Sequence, residues 1–241
     1  MSILLVAHGS RDPRFAATLS QIRDAVGTAL PDRHVGLGYL DLTEPLVGTA
    51  LDAIAADGDH VTVVPLLLGD GYHSRFDLPV LLEAARSRWP ALTVEQTPVL
   101  GSVSLVDALD DRLREAGSGD GIVMYAVGSS DEHSDDAARR RGTELARATG
   151  LPVEVVFATK LGPQARELRC ALARLRATGA DRIVGLPYFL SPGLLTERVE
   201  RLLHVLAPGC AIAAPLGDHP AVVEAICETA VARVGEALVR R

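Results

Sequence analysis

The run Ile3-Leu4-Leu5-Val6-Ala7-His8-Gly9-Ser10-Arg11-Asp12 decides the fold that the sequence predicts. Its apolar first half is typical of a strand that is buried on both faces of a parallel sheet. The run ends at a histidine, Gly9 permits a sharp backbone turn, and a helical pattern follows from about Arg14. Because ligands bind at the carboxyl ends of strands in open α/β sheets, His8 lies where such a fold does its chemistry.

The rest of the first half repeats this alternation of strand and helix, which predicts βαβ units and a parallel sheet. Further apolar runs predict three strands, at about 35–40, 61–68 and 93–97. Apolar residues at three-to-four spacing predict helices from about 14 to 30, from Pro45, after Asp77-Leu78-Pro79, and from about 103 to 116.

A second copy of the same plan follows a glycine-rich stretch at 117–121. Residues 123–131, Val-Met-Tyr-Ala-Val-Gly-Ser-Ser-Asp, align with residues 4–12 of the opening run. Further on, Pro187 aligns with Pro65, and the apolar segments around the two prolines match. The sequence therefore indicates an internal duplication.

The duplication predicts an α/β protein of two similar flavodoxin-like parallel-sheet domains that face each other across a cleft. The expected boundaries are residues 1–116 for the first domain, 117–121 for the linker and 122–241 for the second domain. One chain then supplies two halves that resemble each other, so we expect a monomer that is an internal pseudo-dimer.

Composition argues against several classes of partner. The formal net charge of −7 disfavours nucleic acid or an anionic membrane surface as the main partner. Aromatic residues are only 4% of the chain, so a cofactor held mainly by ring stacking is not expected. No apolar run approaches the roughly 18 residues of a membrane-spanning helix, and the start of the chain lacks the pattern of a signal peptide. We therefore expect a cytoplasmic protein.

Polar residues follow three strands that become neighbours in the common strand order 2-1-3-4. These residues are His8 after the first strand, Asp41 and then Glu44 after the second, and His73 after the third. Two imidazoles and a carboxylate suit divalent iron, cobalt, nickel or zinc. Neutral histidine also accepts protons near pH 7, so the same groups can act as bases.

The second half lacks all of these candidate ligands together. Loss of one chemical site from one copy explains this simply. The replacements are Val127 for His8, Leu195 for His73, and Thr159 and Gly162 near the positions of Asp41 and Glu44.

Several motifs of the first half bear a family resemblance. They are the His-Gly-Ser-Arg start, Tyr39-Leu40-Asp41 followed by Glu44-Pro45, and Pro65-Leu66-Leu67-Leu68 leading to His73 and Asp77-Leu78-Pro79. In these motifs the chain resembles the sirohydrochlorin chelatases, which are class II, ATP-independent chelatases of the cobaltochelatase and sirohydrochlorin ferrochelatase type. The second half resembles the degenerate repeat of that family.

The resemblance implies a chelatase that inserts cobalt or iron into sirohydrochlorin or a related tetrapyrrole, for siroheme or cobalamin biosynthesis. The divalent metal is then a substrate, and no organic cofactor or ATP is expected. His8 and His73 match the family's two metal-site histidines, which would hold the ion weakly and accept pyrrole protons. Asp41 stands where the family usually has glutamate, so Glu44 is an alternative acidic ligand.

The substrate of this family carries many carboxylates, for which arginines near the strand ends are natural partners. Arg11, Arg14 and Arg75 have suitable positions, and Ser10 with the first amides of the helix can add hydrogen bonds. These four residues are the candidate substrate-binding residues.

Two other functions stay open at this point. One is a non-catalytic metal carrier or tetrapyrrole-binding protein on the same fold. The other is a hydrolase that uses Ser10 with His8, although the chain has no Gly-x-Ser-x-Gly elbow. The sequence also does not choose among cobalt, iron and nickel, because all suit these ligands.

Overall fold

The computed structural model of the protein describes residues 1–58, 60–71, 73–129 and 131–239. Within these ranges, the side chains of residues 57, 73, 132, 133 and 233–239 lie outside the description. The described chain forms two four-stranded sheets, and every pair of neighbouring strands in them is parallel.

The first sheet has the strand order β2-β1-β3-β4, as the sequence predicts. The opening run forms its buried centre, where Leu5 is paired with Leu37 on one side and Val64 on the other. The elements are β1 (Ser2–Ala7), α1 (Pro13–Ala29), β2 (His34–Tyr39), α2 (Val47–Asp57), β3 (His60–Pro65), α3 (Leu78–Arg88) and β4 (Thr93–Gln96).

The second sheet repeats this topology in the order β6-β5-β7-β8, which confirms the predicted pair of similar α/β folds. The remaining elements are α4 (Val106–Ala116), β5 (Gly121–Ala126), α5 (Glu132–Thr149), β6 (Val153–Phe157), α6 (Arg166–Ala177), β7 (Ile183–Pro187), α7 (Leu194–Leu206), β8 (Ala211–Ile212) and α8 (Pro220–Val239).

The last helix of each half does not stay with its own sheet. α4 packs against α5 and β7, whereas α8 packs against α1 and β3. The chain therefore divides into a first unit, Met1–Val103 with Asp218–Arg241, and a second unit, Ser104–Gly217. This division differs from the expected domains 1–116 and 122–241, because the sequence pattern assigns each helix to the strand that precedes it.

Two helix starts lie later than the sequence predicts. Pro45 lies in a loop after a cis Glu44–Pro45 peptide bond, and α2 begins at Val47. The helix expected from about residue 103 begins at Val106, after a short 3₁₀ turn at Leu100–Ser102. No helix in the described ranges combines the length and the apolar character needed to span a bilayer.

Candidate functional site at the strand ends of the first unit

Backbone hydrogen bonds bring His8 and Asp41 side by side. The pairing of β1 with β2 continues past both strand ends: the N–H of Leu40 donates to the carbonyl of Ala7, and the N–H of Asp41 donates to the carbonyl of His8, both at 2.9 Å. The imidazole and the carboxylate thus start from adjacent backbone positions, as the strand order 2-1-3-4 leads one to expect.

Gly9 makes this close approach possible. Its φ is +101°, and a Cβ at this position would lie 1.7 Å from the carbonyl oxygen of Asp41. An L-amino acid other than glycine rarely adopts this φ and could not fit here without moving the second loop. The glycine therefore fixes the separation of the two loops that carry the candidate ligands.

Thr43 joins the same two loops, and the sequence analysis did not single it out. Its hydroxyl accepts a hydrogen bond from the N–H of Ser10 at 3.0 Å and donates to the carbonyl of Ser10 at 2.9 Å. Its position between the candidate ligands Asp41 and Glu44 could have pointed to it, because a threonine hydroxyl often forms hydrogen bonds with nearby backbone groups in loops.

Both candidate acids are exposed, and each carboxylate supports its own loop with one oxygen. Asp41 Oδ1 accepts a hydrogen bond from the N–H of Leu42 at 2.7 Å, and Glu44 Oε2 accepts one from the N–H of Leu46 at 3.0 Å. A carboxylate has lone pairs on both oxygens, so these bonds leave each side chain able to bind a cation.

The loop that contains His73 ends in a π-helical turn, His73–Asp77, just before α3. Asp70 holds this turn, because its Oδ1 accepts from the hydroxyl of Ser74 at 2.7 Å and its Oδ2 accepts from Nε of Arg75 at 3.0 Å. Isolated π-helical turns are frequent at functional sites. The side chain of His73 lies outside the described residues, so its approach to His8 stays a prediction.

The candidate substrate-binding residues differ in the hydrogen bonds and ion pairs that they form within the protein. Arg14 bonds to Asp12, with Nη2 2.6 Å from Oδ2, and these bonds hold the pKa of Asp12 below its usual range. The hydroxyl of Ser10 accepts from the N–H of Asp12 at 3.1 Å, and Arg75 pairs with Asp70. Arg11 is exposed and forms no ion pair within the described ranges, so its guanidinium is open to a ligand's carboxylate.

No group of three His, Cys, Asp or Glu side chains in the described part of the chain could hold a metal ion. His8 and Asp41 are therefore two candidate ligands and not a complete site, and the side chain of the further candidate, His73, lies outside the described residues.

The second unit repeats this backbone arrangement without the ligands. The N–H of Thr159 donates to the carbonyl of Val127 at 3.0 Å, and the N–H of Asp131 donates to Ser129 Oγ at 3.1 Å. Gly128 has a φ of +88°, and a Cβ there would lie 2.5 Å from Thr159 Oγ1. Val127 and Thr159 therefore occupy the backbone positions of His8 and Asp41, as the sequence alignment predicts.

In the second unit, an ion pair supports the loop that follows β5. Asp135 is buried; its Oδ1 accepts from the N–H of Ser129 at 2.8 Å, and its Oδ2 lies 2.6 Å from Nζ of Lys160. Lys160 follows Thr159 directly and is the only lysine of the chain. The second unit thus stabilises its loop with a carboxylate that is part of an internal ion pair, whereas the first unit uses the neutral hydroxyl of Thr43.

Comparisons with known proteins agree with this arrangement. A family model described as CbiX matches residues 2–116 and 121–232. The sirohydrochlorin ferrochelatase of Bacillus subtilis (strain 168) is 28% identical over 237 residues, which are 93% of this chain and 88% of that protein. A sirohydrochlorin cobaltochelatase of Priestia megaterium is 26% identical over 216 residues, which are 84% of this chain and 68% of that protein.

Solved structures show the same likeness over nearly the whole chain. SirB from Bacillus subtilis with Fe³⁺ superposes with a TM-score of 0.81 at 25% identity, and 97% of each chain is covered. SirB from Bacillus subtilis subspecies spizizenii in complex with cobalt superposes with a TM-score of 0.77 at 24% identity, again over 97% of each chain. At 24% identity, the likeness to the cobalt complex shows a shared fold only.

Proposed function

The chain belongs to the CbiX family, and we propose that it is a sirohydrochlorin chelatase, which inserts divalent cobalt or iron into sirohydrochlorin or a related tetrapyrrole. Such a reaction serves the biosynthesis of siroheme or cobalamin. The observation that carries the proposal is the adjacent placement of His8 and Asp41 at the carboxyl ends of β1 and β2. This is the edge of the sheet where α/β folds bind their ligands.

His8 and His73 are the proposed catalytic residues. A metal ion that enters the macrocycle must lose its water and displace the pyrrole protons. An imidazole that binds the ion weakly can release it and then accept a proton, so one group serves both needs. This role suits His8, which begins the loop directly after a rigid, buried strand.

Asp41 is the proposed acidic ligand, with Glu44 as the alternative. The backbone of Asp41 is hydrogen-bonded directly to that of His8, whereas Glu44 lies three residues further along the exposed loop. A carboxylate beside the imidazole lowers the positive charge at the site, which helps to attract a divalent cation.

Arg11 is the proposed primary contact for the carboxylates of the tetrapyrrole, since no carboxylate within the described chain pairs with it. Arg14 and Arg75 are already bonded to Asp12 and Asp70. We therefore propose that each of them binds a substrate carboxylate through its remaining N–H groups, in addition to the contact made by Arg11. Ser10 completes the set from the loop between β1 and α1. The cleft, the monomeric state and the cytoplasmic location expected from the sequence stay predictions.

Turnover tests the proposed function. Purified protein is mixed under anaerobic conditions with sirohydrochlorin in large excess, with Co²⁺ or Fe²⁺ in parallel, and the absorbance change of the macrocycle is followed. We expect many turnovers per chain with at least one of the two metals. A change that stops at one equivalent per chain would instead identify a carrier, and the hydrolase alternative predicts cleavage of activated esters, which we do not expect.

A further inference from the structure

A cavity of about 530 Å³ lies entirely within the second unit and begins shortly after Thr159, at Leu161 and Gly162. Its volume lies in the range of small-molecule sites. Three arginines and several apolar residues of α6, α7 and the loop before α6 line it. The main contributors are Leu161, Arg169, Arg198, Arg201, Leu202 and Val205.

The charge of this cavity is opposite to that of the whole protein. The described lining includes three guanidinium groups and no acid, although the chain carries a formal net charge of −7. Arg198 forms no ion pair with a described residue, and the nearest carboxylate oxygen to Arg201, that of Glu197, is 3.7 Å away, beyond hydrogen-bond distance. These guanidinium groups can therefore bind an external anion.

The floor of the cavity is apolar. Leu161 is buried, Leu202 is half-buried, and the side chain of Val205 is 73% exposed. An apolar side chain exposed beside arginines suits a ligand with an apolar body and a charged edge. A small inorganic anion would leave this apolar surface in water.

The loop before α6 has an unfavourable backbone conformation and bonds to one arginine of the cavity, Arg169. Gln164 and Ala165 both have left-handed backbones, with φ of +52° and +54°, a conformation that residues other than glycine rarely adopt. The carbonyl of Gln164 accepts a hydrogen bond from Nε of Arg169 at 3.0 Å. This leaves the terminal N–H groups of Arg169 as a preorganised donor pair.

Between the corresponding helices of the first unit, α2 and α3, an acid faces the arginine. There, Asp52 of α2 accepts from Nη1 of Arg88 at 2.5 Å and from the indole N–H of Trp89 at 2.8 Å, at the end of α3. An acid thus neutralises the arginine and ties the helix ends together.

We propose that this cavity binds a carboxylate-bearing edge of sirohydrochlorin or of its metallated product. Arginine pairs with carboxylates in a bidentate geometry, and the apolar floor matches the hydrocarbon part of the ring substituents. This inference rests on the proposed function, since it takes its ligand class from the chelatase reaction. It assigns to the second unit a binding role of its own, without metal chemistry.

Binding of uroporphyrin tests the proposal. This porphyrin carries an acetate and a propionate on each pyrrole, and its fluorescence reports binding. The R198Q/R201Q double variant is compared with the wild type and with R140Q/R147Q, which removes two exposed arginines of α5 outside the cavity. All three proteins are measured at equal ionic strength, and each is also assayed for cobalt and iron insertion into sirohydrochlorin.

We expect R198Q/R201Q to raise the Kd for uroporphyrin at least about fivefold and to reduce its salt dependence, while R140Q/R147Q stays within about twofold of the wild type. Benzene-1,3,5-tricarboxylate should compete, and inorganic phosphate at equal ionic strength should not. An equal loss in both double variants, no loss in either, absence of binding by the wild type, or equal competition by phosphate overturns the proposal. Wild-type insertion tests the proposed function separately, so failure of one idea is distinguishable from failure of the other.

Discussion

The strand ends of the two units share one backbone arrangement and differ in their side chains. In the first unit the N–H of Asp41 donates to the carbonyl of His8, and in the second the N–H of Thr159 donates to the carbonyl of Val127. The bond lengths agree within 0.1 Å, at 2.9 and 3.0 Å. The fold therefore does not require a histidine or an acid at these places, and their presence in one copy alone points to chemistry.

The two units also hold their first loops by different means. A neutral hydroxyl, that of Thr43, bonds the loop of the first unit, and the buried carboxylate of Asp135 with the ammonium of Lys160 supports the loop of the second. The carboxylate and the ammonium neutralise each other, so this ion pair supports the loop without adding net charge to it. The second unit thus lacks the candidate ligands and holds its loop with an internal ion pair.

Gly9→Ala should produce the largest effect, because the added Cβ would meet the carbonyl oxygen of Asp41 at 1.7 Å with φ at +101°. We expect a loss of stability on the order of 3 kcal/mol or more and a loss of metal insertion of at least about a hundredfold. Gly128→Ala is the matched control: it should also lower stability, measured by urea unfolding, while folded protein keeps its metal binding. Equal loss of metal binding in both variants would contradict the assignment of the site to one unit.

His8→Ala and His73→Ala should each lower the rate of metal insertion at least about tenfold, because each removes a proposed metal ligand and proton acceptor. His8 lies directly after β1 and is only half-buried, so its truncation makes no core cavity, and we expect both variants to fold. The control is Val127→Ala, which shortens the exposed side chain at the position of His8 in the second unit and should leave the rate nearly unchanged. Near-normal turnover in both histidine variants would refute the site.

Lys160→Met should affect stability without affecting catalysis. It leaves the buried carboxylate of Asp135 without its ammonium partner, which should cost about 1–3 kcal/mol of unfolding free energy. Urea unfolding measures the loss, and insertion assays on folded protein should match the wild type. A tenfold fall in insertion rate at unchanged stability would show that the second unit takes part in the chemistry.

Val127→His combined with Leu195→His should have the smallest effect on the number of metal sites. The double variant places two imidazoles in the second unit, but Thr159 still stands in the place of Asp41, so the acidic ligand is missing. We expect no increase in the insertion rate and no second productive site. A doubled rate with sirohydrochlorin would show that the ligands alone distinguish the two units.

Much of this comparison could be predicted from the sequence, because it depends on backbone topology. The apolar run that ends at His8, the strand order and the alignment of Val127 with His8 follow from periodicity and duplication. Side-chain bonds such as that between Ser10 and Thr43, which are 33 residues apart, could not be predicted. They depend on how two loops meet, and no periodic pattern encodes that.

The sequence pattern also could not predict that α4 belongs to the second unit and α8 to the first. Each helix follows the last strand of its half directly, so the order of elements assigns it there. Its apolar face decides where it packs: α4 buries Ala108, Leu109 and Leu113 in the second unit. An amphipathic helix can pack on either sheet, and its apolar pattern does not indicate which of the two sheets it will cover.

Metal stoichiometry in the absence of tetrapyrrole tests the central claim most directly. Equilibrium dialysis of the purified protein against Co²⁺ should give one weak site per chain, and His8→Ala should abolish it, because the ligands belong to the first unit alone. Two equivalent sites per wild-type chain would contradict this account, as would one site that persists when His8→Ala and His73→Ala are combined.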